Sequence, residues 1–281
     1  MRRYAVVPAL AVAALVALVS VAAAAGPVPG TVQGEAGIAV AGGARVVVNP
    51  IADRTRITLM RERDGVVLRS RTIPGRLGVV QTTYAGDVEG TWANGRKLLV
   101  STSIYDSLTT SRFVVLDTRT LKVRRTIVLP GMFAFDAVSP GGKRLYLTQF
   151  PNGFDGPIRY LVRSLVLGTG KLEPGAIVDK TEPDEQMAGM PMARTWSRDG
   201  ATAFTLYNGL ESHAFVHALD TVRRSARCID LPWKGDAQTG LERVRMSIGA
   251  DGMLTLTQPG TGVLARIDTR TFEVQVVRAP A

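Results

Sequence analysis

The chain has one cysteine, Cys228, and two histidines, His213 and His217, in 281 residues. A single cysteine excludes an intrachain disulfide, so stability must come from the core, for which this length is ample. Cys228 alternates with Ala226 along an apolar run and reads as a small buried hydrophobe rather than a reactive thiol. No cysteine stands near the N-terminal apolar run, which excludes a lipid-modified N-terminus there. The chain also lacks a Gly-rich phosphate cradle, a G-x-S-x-G elbow and any sustained helical period. His213 and His217 form H-x-x-x-H, which on a helix would face one metal. Here Ala214–Leu219 alternates as a strand, where four residues span roughly 13 Å, so one ion cannot reach both. His213, beside a loop, can face solvent or a ligand; His217 reads as a strand residue with a hydrogen-bonded ring. Lys and Arg outnumber Asp and Glu by 34 to 24. They are scattered singly or in pairs such as Arg124-Arg125 and Arg223-Arg224, with no basic run interleaved with aromatics. That pattern argues against nucleic acid and allows loose attraction to an anionic envelope surface.

What the chain does have begins with an apolar run, Ala5–Val21, behind Arg2 and Arg3 and followed by Ala22–Ala25. A charged start, an apolar middle and small residues at the end describe a secretory signal over residues 1–25, cleaved near Ala25. The alternative is an uncleaved anchor, since about 20 apolar residues can span a bilayer. Only in that case would a membrane be a partner. Cleavage would take Arg2 and Arg3 and lower the charge from +10 to +8.

Residues 33–281 read as one domain of internal repeats. Turn glycines recur at Gly43, Gly95, Gly142, Gly200 and Gly252, at intervals of 52, 47, 58 and 52 residues. A second pair of alternating runs follows each one, near Ile57–Ile73, Phe113–Leu129, Tyr160–Val178, Phe215–Leu231 and Val263–Val277. Their turns fall at Asp64-Gly65, Asp117-Thr118, Gly168-Thr169, Asp220-Thr221 and Asp268-Thr269. Period-2 runs between such turns are antiparallel strands. Tandem four-stranded units of about 50 residues predict an all-β fold, a β-propeller of about five blades. A pair of β-sandwiches would not explain one common period, and six or seven blades would break this register.

The segments LDTRTLKVRRTIVLPG and FDAVSPGGKRLYLTQF resemble the repeats of YVTN-type and TolB-like secreted β-propellers, which pair a D-x-x-T turn strand with an S-P-D-G-x-x-L-Y strand. The likeness is best from Phe113 to Trp233. Gly141 stands where Asp is usual, whereas Asp199 and Asp251 keep it. The resemblance implies a fold and export, and it carries over no catalytic residues.

Naming the strands of a blade a to d from the axis outwards, the a–b and c–d turns share one face and are short. The b–c and d–a loops share the other and include Ser103–Ser111, Gln149–Pro157, Lys180–Pro191, Asn208–His213 and Lys234–Glu242. Long loops on a rigid scaffold usually carry function, so this face is expected to bind. It offers Glu182, Asp184 and Glu185 in one loop, with Asp87, Glu89, Asp136 and Glu242 comparably placed in other blades. Carboxylates converging on the axis could hold a cation such as calcium; the alternatives are a solvated acidic loop or pairing with Arg194 and Arg243. No metal motif is present, and no cofactor is expected. Tyr105, Phe150, Phe154 and Trp233 add aromatic rings of the kind that grip carbohydrate or peptide, unless they fill gaps between blades. The expected protein is an exported, monomeric, non-enzymatic propeller. Its partner would be a protein or an envelope glycan or peptide, bound by Glu182, Asp184, Glu185, Asp136, Phe154, Trp233 and His213. The other reading is a hydrolase or lyase using carboxylates and His213 at the channel mouth.

Overall fold

Turn chemistry sets the architecture of the computed structural model, which describes residues 31–32, 34–106, 109–153, 159–182, 187–209, 213–234 and 238–280. The expected signal, Phe154, Asp184 and Glu185 lie outside the described residues. The five repeat glycines all have positive φ, between 62° and 81°, and each closes an a–b hairpin. Ser139 and Ser197 brace two of these turns: each hydroxyl accepts the N–H five residues on, from Arg144 at 3.0 Å and Thr202 at 2.8 Å.

The Asp-Thr turns between strands c and d do a second job. The Asp carboxylate holds its own turn, as where Asp268 Oδ1 accepts the N–H of Arg270 at 2.7 Å and of Thr271 at 3.1 Å. The Thr hydroxyl then reaches inward to the a–b turn of the same blade. Thr118 donates to the Gly95 carbonyl at 2.8 Å, Thr221 to that of Ala201 at 2.7 Å, and Thr269 to that of Gly252 at 2.7 Å. Each pair therefore ties the outer hairpin of a blade to its inner one, which gives the repeat its physical reason.

Five antiparallel sheets result, and the fold is a β-propeller of five blades. The first runs through Gly34–Val40, Ala44–Ile51, Arg54–Arg61 and Val67–Pro74. The third uses Met132–Val138, Arg144–Phe150, Arg159–Val166 and Lys171–Leu172, with Met187–Ala188 paired to the edge of Arg159–Val166. The fourth uses Pro191–Trp196, Thr202–Tyr207, His213–Asp220 and Ser225–Lys234, and the fifth Arg245–Ile248, Met253–Gln258, Gly262–Asp268 and Val274–Val276. A one-turn helix, Gln238–Leu241, leads into the fifth blade. Among the described residues no helix is long and apolar enough to cross a membrane.

Apolar layers join neighbouring blades. Ile57, Leu59, Leu98 and Val114 lie between the first and second, Phe113, Phe135 and Leu147 between the second and third, and Leu206, Leu231, Leu254 and Leu264 between the fourth and fifth. Met132, Tyr146, Ala203 and Tyr207 contribute to two smaller clusters between the third and fourth. Among the described residues no buried apolar cluster joins the fifth blade to the first.

The second blade departs from the expected register. Its inner strand is split into Gly78–Gln81 and Thr91–Trp92, both paired to Lys97–Ser101, and its outer strands are Thr110–Asp117 and Val123–Pro130. Between the halves a hairpin lifts out of the sheet, with Val80 opposite Glu89 and Gln81 opposite Val88. Thr83 closes its tip, donating to Asp87 Oδ2 at 2.7 Å and accepting the Asp87 N–H at 3.2 Å. Gly90 returns the chain with φ 91°; a Cβ there would come within 2.7 Å of Val80 Cγ2. Asp87 and Glu89 therefore belong to an insertion inside the inner strand, not to a loop before it. Thr31–Val32 pairs with the other side of Val79–Val80.

Candidate functional site

The inserted hairpin crosses the central channel from the second blade to the fourth. At its tip the Tyr84 N–H donates to the carbonyl of Pro191, the first residue of the fourth inner strand, at 2.7 Å. That end lies at the long-loop face. Nearer the short-turn face, Glu89 Oε1 accepts Trp196 Nε1 at 3.1 Å and its Oε2 lies 3.5 Å from Arg194 Nη1.

Arg194 is the hub, with a side chain only 3% exposed. Its partner from the third blade is Asp136, the unpaired residue of a β-bulge between Phe135 and Ala137. A bulge re-aims one residue and frees its backbone, and Asp136 uses both consequences. Its carbonyl accepts Arg194 Nη1 and its Oδ1 accepts Arg194 Nη2. Arg194 Nε donates to Thr205 Oγ1 at 2.8 Å. Asp136 Oδ2 is buried without a hydrogen-bond partner. The carboxylates hold Arg194 firmly protonated despite its burial. Burial pushes the Glu89 carboxyl above its ordinary range, and the opposing pull of Arg194 and the Trp196 N–H does not offset it.

The channel opens at the short-turn mouth into a cavity of about 570 Å³. Trp92, Phe135, Val138, Trp196 and the Gly37–Ala39 backbone form its walls, and Glu89 is the one ionisable residue lining it. Gly142 makes room for Trp92, since a Cβ there would sit 2.4 Å from the indole Nε1. Gly43 has nearly the same φ, 62° against 63°, with nothing within 4 Å. Gly142→Ala and Gly43→Ala should each lose about 1–2 kcal/mol for the left-handed backbone, and Gly142→Ala more, because its methyl must also displace the indole. Only the first should shift tryptophan emission and the near-ultraviolet dichroism, because only there must an indole move to admit the methyl; equal spectra would mean Trp92 does not rest on Gly142.

The expected site residues fare differently. Asp136 is 4% exposed and committed to Arg194, which is the pairing alternative rather than an open ligand. Trp233 is also 4% exposed and packs in the apolar layer between the fourth and fifth blades, and Phe150 is buried against Tyr160. Both had been expected as loop aromatics; their strands run further than the turn signals suggest, through Lys234 and to Phe150. Tyr105 is exposed. Glu182 is exposed, its N–H on the Asp179 carbonyl at 3.1 Å, and His213 is exposed at the head of its strand. Arg243 donates to the Pro259 carbonyl at 3.1 Å, and Glu242 accepts the Gly240 N–H at 3.1 Å. Among the described residues no three His, Cys, Asp or Glu side chains gather as a metal site. His217, 2% exposed, stands edge-on to Tyr207 with Nδ1 3.9 Å from Cys228 Sγ. The expected bonding of the ring is thus met at Nδ1 alone, and Nε2 is buried without a partner.

No family model matches the chain, and no curated protein is similar to it in sequence. Solved structures are similar in fold. A prolyl endopeptidase matches at TM-score 0.50 and 12% identity, over 90% of this chain and 37% of that one. Hydrazine synthase of Kuenenia stuttgartiensis matches at TM-score 0.48 and 15% identity, over 85% and 63%. TolB of Acinetobacter baumannii matches at TM-score 0.43 and 16% identity, over 85% and 52%. The chain thus spans less than two thirds of each of these proteins, and the likeness concerns the propeller fold alone.

Proposed function

We propose that this chain is an exported β-propeller binding protein that takes an envelope or extracellular partner at the short-turn mouth of its channel. The observation that carries this reading is the cavity itself, walled by Trp92, Phe135 and Trp196 over a bridged channel. Aromatic walls with few polar groups suit recognition. The deeper charged groups are engaged with one another rather than poised toward the cavity, and a hydrolase drawing on a pair of groups would need a second one beside Glu89. Export is supported by Arg2, Arg3 and the run Ala5–Ala25.

The test uses protein recovered from the exported fraction, with an N-terminus expected near Gly26, as bait for envelope extract. Trp92→Ala and Trp196→Ala should each lose the partner that the unaltered chain captures. Glu182→Ala combined with His213→Ala, on the long-loop face, should retain it. The reverse pattern would return the binding surface to the long loops, and recovery of the intact Met1 form in membranes would replace export by anchoring.

A further inference from the structure

Charge around the channel does not balance. Arg194 faces two carboxylates, Asp136 and Glu89, and a third carboxylate, Asp87 on the same hairpin, also bears on Glu89. One oxygen of Asp136 is buried with nothing donating to it. The surplus is negative in a chain of net charge +10. It sits at the base of the cavity, because Glu89 lines that cavity while Asp136 and Arg194 lie behind it. The neighbouring cavity between the first two blades presents Arg96, Arg119 and Arg124 around Asp117, so the two cavities differ in the sign of their charge.

An uncompensated carboxylate in a partly desolvated recess recovers its lost hydration by binding a proton or a cation. The raised affinity of Glu89 for a proton is the first outcome, and a bound cation is the second. A hard metal ion fits poorly here, since it needs six or more oxygen ligands and Glu89 supplies the only carboxylate on the wall. An organic cation fits the walls as well as the charge. Indole rings attract cations over their faces, and the arrangement already contains one such pair, Arg194 at 5.9 Å from the Trp196 ring centroid. Trp92, half-buried against Gly142, offers a second indole.

We infer that the group received by this cavity is an organic cation, an alkylammonium or guanidinium, held by Glu89 between the aromatic walls of Trp92 and Trp196. The inference rests on the reading of this mouth as the binding site and adds the chemical class of what enters it. Two sources share that chemistry: a free quaternary or primary amine, and a basic side chain of a larger partner.

The test is titration of the full exported chain, followed by tryptophan emission and calorimetry. The probes are benzyltrimethylammonium with benzyl alcohol as its neutral counterpart, and Nα-acetyl-lysine methylamide with Nα-acetyl-norleucine methylamide. At least one cation should bind about tenfold or more tightly than its neutral counterpart, about 1.4 kcal/mol. Preference for benzyltrimethylammonium indicates a free amine, and preference for the lysine derivative indicates a side chain. Glu89→Gln can still accept from Trp196 Nε1 and leaves Arg194 balanced by Asp136, so it should fold and should abolish the preference. Trp92→Leu should weaken both cations several-fold. Equal binding of charged and neutral probes, binding of neither cation, or an unchanged preference in Glu89→Gln would overturn the inference. Failure here with partner capture still lost in Trp92→Ala would leave the binding surface standing; cation binding with capture retained would remove the partner reading instead.

Discussion

Arg194→Met should lower stability by about 3–5 kcal/mol, the usual effect of removing one partner from a buried pair. The substitution leaves the Asp136 carboxylate 4% exposed without its Arg194 partner, and strips Glu89 of the positive charge of Arg194. The carbonyl of Asp136, freed by the bulge, loses its donor as well. Because the harm lies in orphaned charge, Asp136→Asn in the same chain should restore part of the loss, and the two substitutions should be strongly non-additive in a double-mutant cycle. Urea unfolding midpoints measure this directly. A loss below about 1 kcal/mol, the range of exposed ion pairs, would mean that water reaches the cluster and that the hairpin does not seal the channel. The same variant should loosen the hairpin, seen as faster hydrogen exchange of the Tyr84 amide, which is bonded to Pro191.

Much of this architecture was legible because turns impose chemistry on sequence. The five glycines sit where φ is positive, and the Asp-Thr pairs recur because one residue holds its turn while the next ties two hairpins together. The bridging hairpin was not legible as such. Its Val79-Val80 and Val88 alternate like any strand, and Thr82-Thr83 with Gly86 reads as an ordinary turn; nothing local says that an inner strand resumes at Thr91. Trp233 misled for a different reason. Ile229, Leu231 and Trp233 keep the period of one buried face, but Pro232 reads as a strand end. Pro232 falls where the ladder register shifts between Asp230 and Lys234, a bulge at which proline is tolerated, and the strand continues to Lys234.

The candidate site lay partly within reach. Pairing of Asp136 with Arg194 was one of the alternatives open from the residues alone, since a lone arginine in an inner strand needs a counter-charge. What no spacing conveys is that Glu89 joins them from a third blade, separated from Arg194 by 105 residues of chain. Loop length pointed to the long-loop face, whereas the channel at that end is bridged by Tyr84 and the cavity opens where connections are shortest. Short turns leave a mouth uncovered, which is the physical reason that loop length and accessible space diverge here.

Acidification should destabilise the fold through a second buried group, His217. Burial lowers its pKa from 6.5 to about 4, with Arg194 acting in the same direction and Asp136 and Asp179 against it. The unfolded chain therefore takes up a proton at a pH where the folded one does not. The stabilisation is full above about pH 6.5 and declines as pH falls toward 4, by about 3 kcal/mol in all. Glu89 works the other way: its raised pKa lets the folded state take up a proton as pH falls, which offsets part of the loss. Asp117, Asp179 and Asp199, held below their ordinary range, lose their stabilisation lower in pH, below about 4. His217→Gln removes the titrating ring and should flatten the dependence between about pH 6.5 and 4. Urea midpoints stepped through that window test the claim. If His217→Gln retained the full slope, the imidazole would have to take up its proton equally well in the folded chain, through rearrangement at Tyr207 and Cys228 or entry of water beside Nε2.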